Sequence, residues 1–595
     1  MQKVQMVPTD DFLTNANQLV NNADFPAAIV LLKKALKQQP DFYQGWLLLS
    51  KCLFETGYIK ESIQVAQHAE RFDPLQKAFH QIQVQMQKHA FNDVQVLANM
   101  MLSDVPGHPR AIFTLAHLFL IQSQPETSLK LLLQGLQVSP TNLTLRHKLI
   151  ECHATAGNYL AAIDAATTLV EMDESFDTLW ELISLQLKYA QHQDLLNSCD
   201  RATKFINNDP IKLSVLEMVR GQTQRIIGER ELCIKSLRSS LAANRKNVDS
   251  WWALADMKNY QFSEDERTAI EVLLQDNSAT QKFKNVATFA LAKACESESD
   301  SMALYHQANR LYNTKEFNIH DVKKEFNTRI HTYSKQSLSI QASKVDAQPS
   351  VIFIVGLPRS GSTLVEQILA SHSQIEGTIE QPTLPSIEKK AQAMCRDKFN
   401  ADLPSSLSSL TPDDLSELGL AYLSNGKIFR YANKTFFTDK QPFNFRLVGL
   451  IHKILPNAKI IDVRRDPLDC GLSLYKQYFP AGVEFSYNLT NIGAFYNAYT
   501  YLMNYWETML PGKVLRVQYE DLVKSPESQI KKLLEYIGVG YEDRCLNFHD
   551  TKRTVHTASS EQVREPINTK GIGSGINAQV YLSELIDSLK KNTFI

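Results

Sequence analysis

"VIFIVGLPRSGSTLVEQ", residues 351 to 367, is an apolar run, a small-residue turn and the start of a helix. Strand, glycine-containing loop and helix in that order make a cradle for an anion, because the N–H groups and positive dipole end of the helix point at the ligand. Gly356 and Gly361 stand in the G-x-x-x-x-G frame of an ATP-binding loop, but Ser362 takes the place of the lysine that reaches the β/γ-phosphates. What remains is the backbone N–H groups from Ser360 to Thr363, the hydroxyls of Ser362 and Thr363, and the forked cation Arg359. That set suits a short oxyanion better than a triphosphate. A tight strand-to-helix turn with an incidental arginine is the alternative reading.

Outward from this loop, short apolar runs alternate with helical patterns, which predicts an α/β domain with a mostly parallel sheet. The expected strands are 351–355, 435–438, 459–463 and 514–518, followed by GLPRSGST, DKQPF, RRDPLD and YEDL. Ligands of open parallel sheets sit beyond the carboxyl ends of the strands, so these four polar clusters are expected along one edge. In "DVRRDPLDCGLS", Arg465 and Ser473 lie across the opening turns of a helix and form a second candidate anion pocket. A surface pair of Arg465 with Asp466 or Asp469 is the competing interpretation. Two anion pockets on one edge fit a ligand with phosphates at both ends, such as a nucleoside 3′,5′-bisphosphate.

The first half reads differently. Pro40, Pro74, Pro106, Pro140 and Pro210 are spaced 34, 32, 34 and 70 residues apart, and each is expected to close a helical stretch. Glu174 stands at the skipped position, with Trp46 and Trp180 six residues after Pro40 and Glu174. Gly57 and Gly157 are turn glycines, and the small residues Ala66, Ala69, Ala162 and Ala166 allow close helix approach. This pattern resembles the 34-residue tetratricopeptide repeat, a helix-turn-helix unit that stacks into an all-α superhelix with a concave face. The expected organisation is a repeat array over 1–260, a helical connector and linker over 261–345, and the α/β domain over 349–595. The concave face is expected to bind a protein or peptide, with a scaffold or dimer surface as the alternative.

Composition narrows the function. The 595 residues carry a formal net charge of −1, so no global positive field points to nucleic acid or an acidic membrane. Eight scattered cysteines without a C-x-x-C pair argue against a zinc cluster or a disulfide framework, and a reducing, cytoplasmic setting is expected. No apolar run is long enough for a membrane span, and the N-terminus has no signal-peptide core.

"PRSGST" followed by "VRRDPLDCGLS", together with "GTIEQP", "DKQPFN", "VQYEDLVKSPE" and "HTASSEQVREPIN", resembles the sulfotransferase superfamily. The resemblance runs from 351 to about 570 and is greatest to tetratricopeptide-repeat sulfotransferases whose catalytic domain is similar to protein-tyrosine sulfotransferase. It implies a P-loop-like α/β domain that uses 3′-phosphoadenosine 5′-phosphosulfate (PAPS) as cosubstrate and requires no metal. It assigns Arg359, Ser360, Gly361, Ser362 and Thr363 to the 5′-phosphosulfate, and Arg465 and Ser473 to the 3′-phosphate. It assigns Glu380 as catalytic base, Lys440 as bridge to the transferring group, Ser559 close to that group, and Tyr519 near the nucleotide. Glu366, Glu376, His372 and His556 are competitors for the base.

The implied reaction moves a sulfuryl group to an acceptor hydroxyl, with a protein tyrosine as the leading acceptor. A glycan or small-molecule hydroxyl is an alternative acceptor. A repeat-based binding protein with a degenerate nucleotide domain is a further reading, and a P-loop kinase is opposed by Ser362. Two departures stand out. "IGSGI" at 572–576 replaces the "IGRW" common in relatives, and Glu565 replaces a basic residue beside Arg564.

Overall fold

The computed structural model describes residues 9–312, 317–345, 349–401, 406–551, 553–554 and 562–591. They fall into two compact units, Met1–Phe205 and Ile206–Ile595.

In the first unit, helices open at Thr9, Tyr43, Gln76, Pro109, Leu143 and Phe176, spaced 34, 33, 33, 34 and 33 residues apart, and each is followed by an antiparallel partner helix. Ala66, Ala69, Ala162 and Ala166 are all buried, as their role in close helix approach requires. Gly57 and Gly157 have φ of +83° and +82°, the left-handed conformation of a turn glycine. Pro40, Pro74, Pro106 and Pro140 follow helix ends, but Pro210 does not close a helix. It opens Pro210–Ile227, where its fixed φ and missing N–H cost nothing.

The second unit begins with helices of the same kind. Pro210–Ile227 and Arg230–Ala243 form one more antiparallel pair, and the helices Val248–Ala255 through Ile319–Thr332 follow. One continuous core runs from Cys233 and Trp251 through Phe289 and Tyr333 to Phe353, Tyr499 and Leu585. Trp252 packs edge-on against Phe289 and Tyr478, with centroids 6.0 and 5.8 Å away. The Tyr505 hydroxyl donates to the Tyr333 carbonyl at 2.8 Å. The stretch 334–345, loop-like in composition, is packed too. Leu338 and Ala342 are buried, and the Ala342 N–H donates to the Lys453 carbonyl at 2.8 Å.

The sheet is fully parallel, with strands β1 (Ser350–Gly356), β2 (Ile375–Glu376), β3 (Phe436–Asp439), β4 (Lys459–Arg464) and β5 (Val514–Gln518) in the order β2-β3-β1-β4-β5. The four expected strands are present within about a residue. β2 is two residues long, too short for a periodicity to register. Strand alternation divides β1 between two cores. Ile352 and Ile354 pack with Val365, Ile368 and Leu534 on one face, while Val351, Phe353 and Val355 join the large core on the other. Burial on both faces explains why β1 reads as an unbroken apolar run. No helix among the described residues is long and apolar enough to cross a membrane.

Candidate active site

The residues that follow the five strands lie in spatial order along one edge. Glu380 comes after β2, Lys440 after β3, the loop 356–363 after β1, Arg465 after β4 and Tyr519 after β5. Neighbouring strands are about 4.8 Å apart, so positions remote in sequence become neighbours.

The β1 loop is shaped by its backbone. Gly356 has φ +146°, and a Cβ there would lie 2.5 Å from the Val463 carbonyl oxygen. Arg359 has φ +68°, rare for a residue with a side chain. Gly361, φ +100°, precedes the helix Ser362–Ala370, which has no side-chain cap. A Cβ on Gly361 would meet the Tyr519 ring at 2.4 Å, so only glycine admits that ring.

The two anion pockets expected from sequence interlock. Arg359 Nε donates to Ser473 Oγ at 3.0 Å, and Arg465 Nη1 donates to the Arg359 carbonyl at 3.2 Å. Arg465 Nη2 donates to the Gly571 carbonyl, and its guanidinium lies 4.9 Å from the Tyr519 ring centroid. Burial lowers the pKa of Arg359, an effect opposed by the Asp256 carboxylate and reinforced by Arg465. Burial raises that of Tyr519. Neither neighbouring aspartate pairs with Arg465. Asp466 caps its helix by accepting from Leu468 and Asp469 N–H, and Asp469 accepts from Gly573 and Gly575 N–H at 2.9 and 2.6 Å.

These groups line a cleft of about 370 Å³. Arg359, Gly361, Ser362, Thr363, Arg465, Ser473 and Tyr519 form one side, while Glu565, Asn568, Lys570 and Gly571 line it from the C-terminal segment, together with Lys258. Ser360 is buried beside it. Ser360 Oγ and Arg465 Nε are buried without a hydrogen-bond partner among the described residues. Buried donors of this kind call for a partner, and a phosphate or sulfate oxygen would supply one. The cleft therefore fits an anionic ligand. Lys258 and Glu565 line it as well. Lys258 has no motif and lies outside the α/β region, so only the fold brings it here.

Glu380 and Lys440 form an ion pair at the β2–β3 end of the edge, with side chains 39% and 1% exposed. Neither lines the cleft itself. Burial pushes the adjacent Asp439 up to about 7; it accepts from the Tyr422 hydroxyl at 2.7 Å. The competitors for the base are engaged elsewhere. Glu366 accepts from Thr438 Oγ1 and sits 3.0 Å from Arg553 Nη2. Glu376 accepts the N–H groups of Tyr431 and Ala432. His372 lies past the end of its helix, with Nε2 2.9 Å from the Gly540 carbonyl oxygen. Ser559 and His556 lie outside the described residues.

Residues 349–543 match the family model described as Sulfotransferase family, and residues 19–86 match the Tetratricopeptide repeat model. The chain carries a sulfotransferase-family domain. An uncharacterized protein of Aquifex aeolicus (strain VF5) is 29% identical over 72% of this chain, which spans 57% of that relative's length. Protein-tyrosine sulfotransferase 1 of Danio rerio is 25% identical over 38% of this chain and 65% of its own. The solved sulfotransferase domain of the Synechococcus PCC 7002 olefin synthase covers 42% of this chain at 17% identity, with a TM-score of 0.30. Within the sulfotransferase-family domain and the segment after it, the departure at 572–576 has a packing reason. A Cβ on Gly575 would lie 2.4 Å from the Leu468 carbonyl carbon, and Asp469 takes the N–H groups of Gly573 and Gly575. A side chain at position 575 has no room in this turn.

Proposed function

We propose that this chain transfers a sulfuryl group from PAPS to an acceptor hydroxyl, with a protein tyrosine as the preferred acceptor and the repeat array recruiting the protein that carries it. The observation that carries the reading is the interlocked pair Arg359–Ser473 and Arg465–Tyr519 around a single helix N-terminus. It concentrates fixed positive charge and unsatisfied donors in a cleft large enough for a nucleotide, and the loop carries Ser362 where a triphosphate-binding loop has its lysine.

In this reading the loop 359–363 holds the 5′ end, and Arg465 with Ser473 holds the 3′-phosphate. The acceptor oxygen attacks sulfur, the new S–O bond forms as the bond to the 5′-phosphate breaks, and 3′-phosphoadenosine 5′-phosphate (PAP) leaves. Such transfer depends mostly on positioning and charge stabilisation. Glu380 takes the acceptor proton, worth about 10²–10⁴-fold in rate. Lys440, ion-paired with Glu380, is assigned the oxygen on which charge builds. A phenol with a pKa of about 10 suits a carboxylate base better than an alcohol does. The likeness to the Danio rerio enzyme over the catalytic region supports tyrosine as acceptor.

Calorimetry with PAP and with ATP tests the nucleotide assignment. PAP is expected to bind and ATP not, and Arg465→Ala is expected to abolish PAP binding; preference for ATP sinks the reading. Labelled-sulfate transfer to tyrosine peptides and to glycans separates the acceptors. Glu380→Gln is expected to lose turnover by about 10²-fold or more while still binding PAP; unchanged turnover removes Glu380 as the base.

A further inference from the structure

Lys258 lines the nucleotide cleft from a loop that precedes the sulfotransferase-family match, and its ammonium is ion-paired to Glu565 across the cleft. We infer that Lys258 contacts a phosphate of the bound nucleotide and that Glu565 competes with that phosphate for it. The inference deepens the PAPS reading above and rests on it.

Four observations support it. The loop is fastened close to Lys258. Two residues earlier, the buried Asp256 accepts from Arg225 Nη1 and Nη2 at 3.2 and 3.1 Å, from Gln477 Nε2 at 3.3 Å and from the Lys293 ammonium. Gln477 lies two residues past the helix Pro467–Tyr475, which carries Ser473, so the loop is tied to the 3′-phosphate helix itself. The facing segment is fastened to the same helices. Arg564 Nη2 donates to the Ile226 carbonyl at 3.2 Å, and a Cβ on Gly228 would lie 2.7 Å from Arg564 Nη1.

The pair is also inexpensive to exchange. The Lys258 and Glu565 side chains are 35% and 45% exposed, and half-exposed ion pairs contribute little to stability. A lysine on its four-carbon stem can turn from a carboxylate to a phosphate without moving the backbone. Charge balance supplies the demand. The cleft presents Lys258, Arg359, Arg465 and Lys570 against Glu565. A bisphosphate brings about −3 to −4, at roughly −1.5 to −2 per phosphate. The basic residue absent at position 565 is thereby replaced by one from a helical segment far earlier in the chain.

Calorimetric titration of the full chain with PAP is the test, using Lys258→Ala, Lys258→Arg, Glu565→Gln and the Lys258→Ala/Glu565→Gln double variant. Lys258→Ala is expected to weaken PAP about tenfold, the scale of a charge-assisted hydrogen bond, and Lys258→Arg to recover most of that loss. Glu565→Gln is expected to tighten PAP about threefold, and the double variant to match Lys258→Ala. A merely structural ion pair predicts the opposite sign for Glu565→Gln, so unchanged or weaker binding in that variant overturns the inference. So does unchanged binding in Lys258→Ala. Should Lys258→Ala melt early, Lys258→Gln takes its place in the titration. If the unaltered chain binds no PAP, the nucleotide reading itself falls, an outcome distinct from either of these.

Discussion

Asp439 shows what a single buried carboxyl adjacent to Lys440 does. Burial raises its pKa to about 7, and its Oδ1 lacks a hydrogen-bond partner among the described residues while Oδ2 accepts from Tyr422. The ordinary value is about 3.9, so between pH 4 and 7 the folded chain holds a proton that the unfolded chain has released. That contribution to stability is complete below about pH 4 and is lost as pH rises through 7. Asp439→Asn cannot ionise, so thermal midpoints measured from pH 4 to 8 are expected to slope less steeply than for the unaltered chain; an unchanged slope assigns the proton elsewhere. Gly361 carries the opposite lesson, a residue that contributes by having no side chain. Gly361→Ala meets both a φ of +100° and the Tyr519 ring at 2.4 Å. A loss of at least about 1 kcal/mol in denaturant unfolding is expected, with weaker PAP binding; full stability would show that Tyr519 can move aside. Gly361 was legible from the G-x-x-x-x-G frame. The shifted titration of Asp439 was not, because it depends on burial by residues remote in sequence.

At the scale of elements, short segments repeat the same solutions. Trp46 Nε1 donates to the Pro40 carbonyl, Arg146 Nε to Pro140 and Trp251 Nε1 to Arg245, each across six residues at 2.7–2.9 Å. Three helix openings are thus tied by the same kind of bond. The turn 571–575 is a different kind of element, held from outside by Asp469 and propping Arg465 through the Gly571 carbonyl. Asp469→Ala removes that hold, and PAP is expected to bind about fivefold more weakly, the scale of one lost hydrogen bond. Calorimetry showing unchanged affinity would mean that Arg465 is positioned without Gly571. From sequence, Asp469 looked like a partner for Arg465. Its true partners lie more than a hundred residues away in the chain, beyond any local pattern.

For the whole molecule, the decisive fact is that helices before the sulfotransferase-family match share its core. Trp252, Phe289 and Tyr478 pack together, and Tyr333 lies edge-on to Trp506 at 5.6 Å. Arg446 sits 5.4–5.9 Å from the rings of Phe326, Phe443, Phe445 and Phe495. Cutting at 348 would expose these apolar faces, at about 25 cal/mol per Å². Cutting at 205 follows the boundary between compact units. Residues 206–595 are therefore expected to express as a folded, PAP-binding protein and 349–595 to aggregate. Size-exclusion chromatography with PAP titration checks both, and a folded, binding 349–595 fragment would refute the shared-core argument.

Local order was determined by the sequence alone. Strand runs, loop glycines and helix repeats are written in neighbouring residues, so Arg359, Arg465 and Ser473 could be selected before their arrangement was known, whereas Tyr519, Glu380 and Lys440 were selected only through the family resemblance. Only the tertiary structure decided that the two anion pockets interlock, that Lys440 pairs with Glu380, and that Lys258 lines the cleft. The reason is physical. Parallel strands joined by crossovers set residues a hundred positions apart side by side at one sheet edge, and no periodicity along the chain encodes that distance. In the proposed reading the stretch 351–367 holds an anion, and the fold brings Arg465, Ser473 and Tyr519 around it.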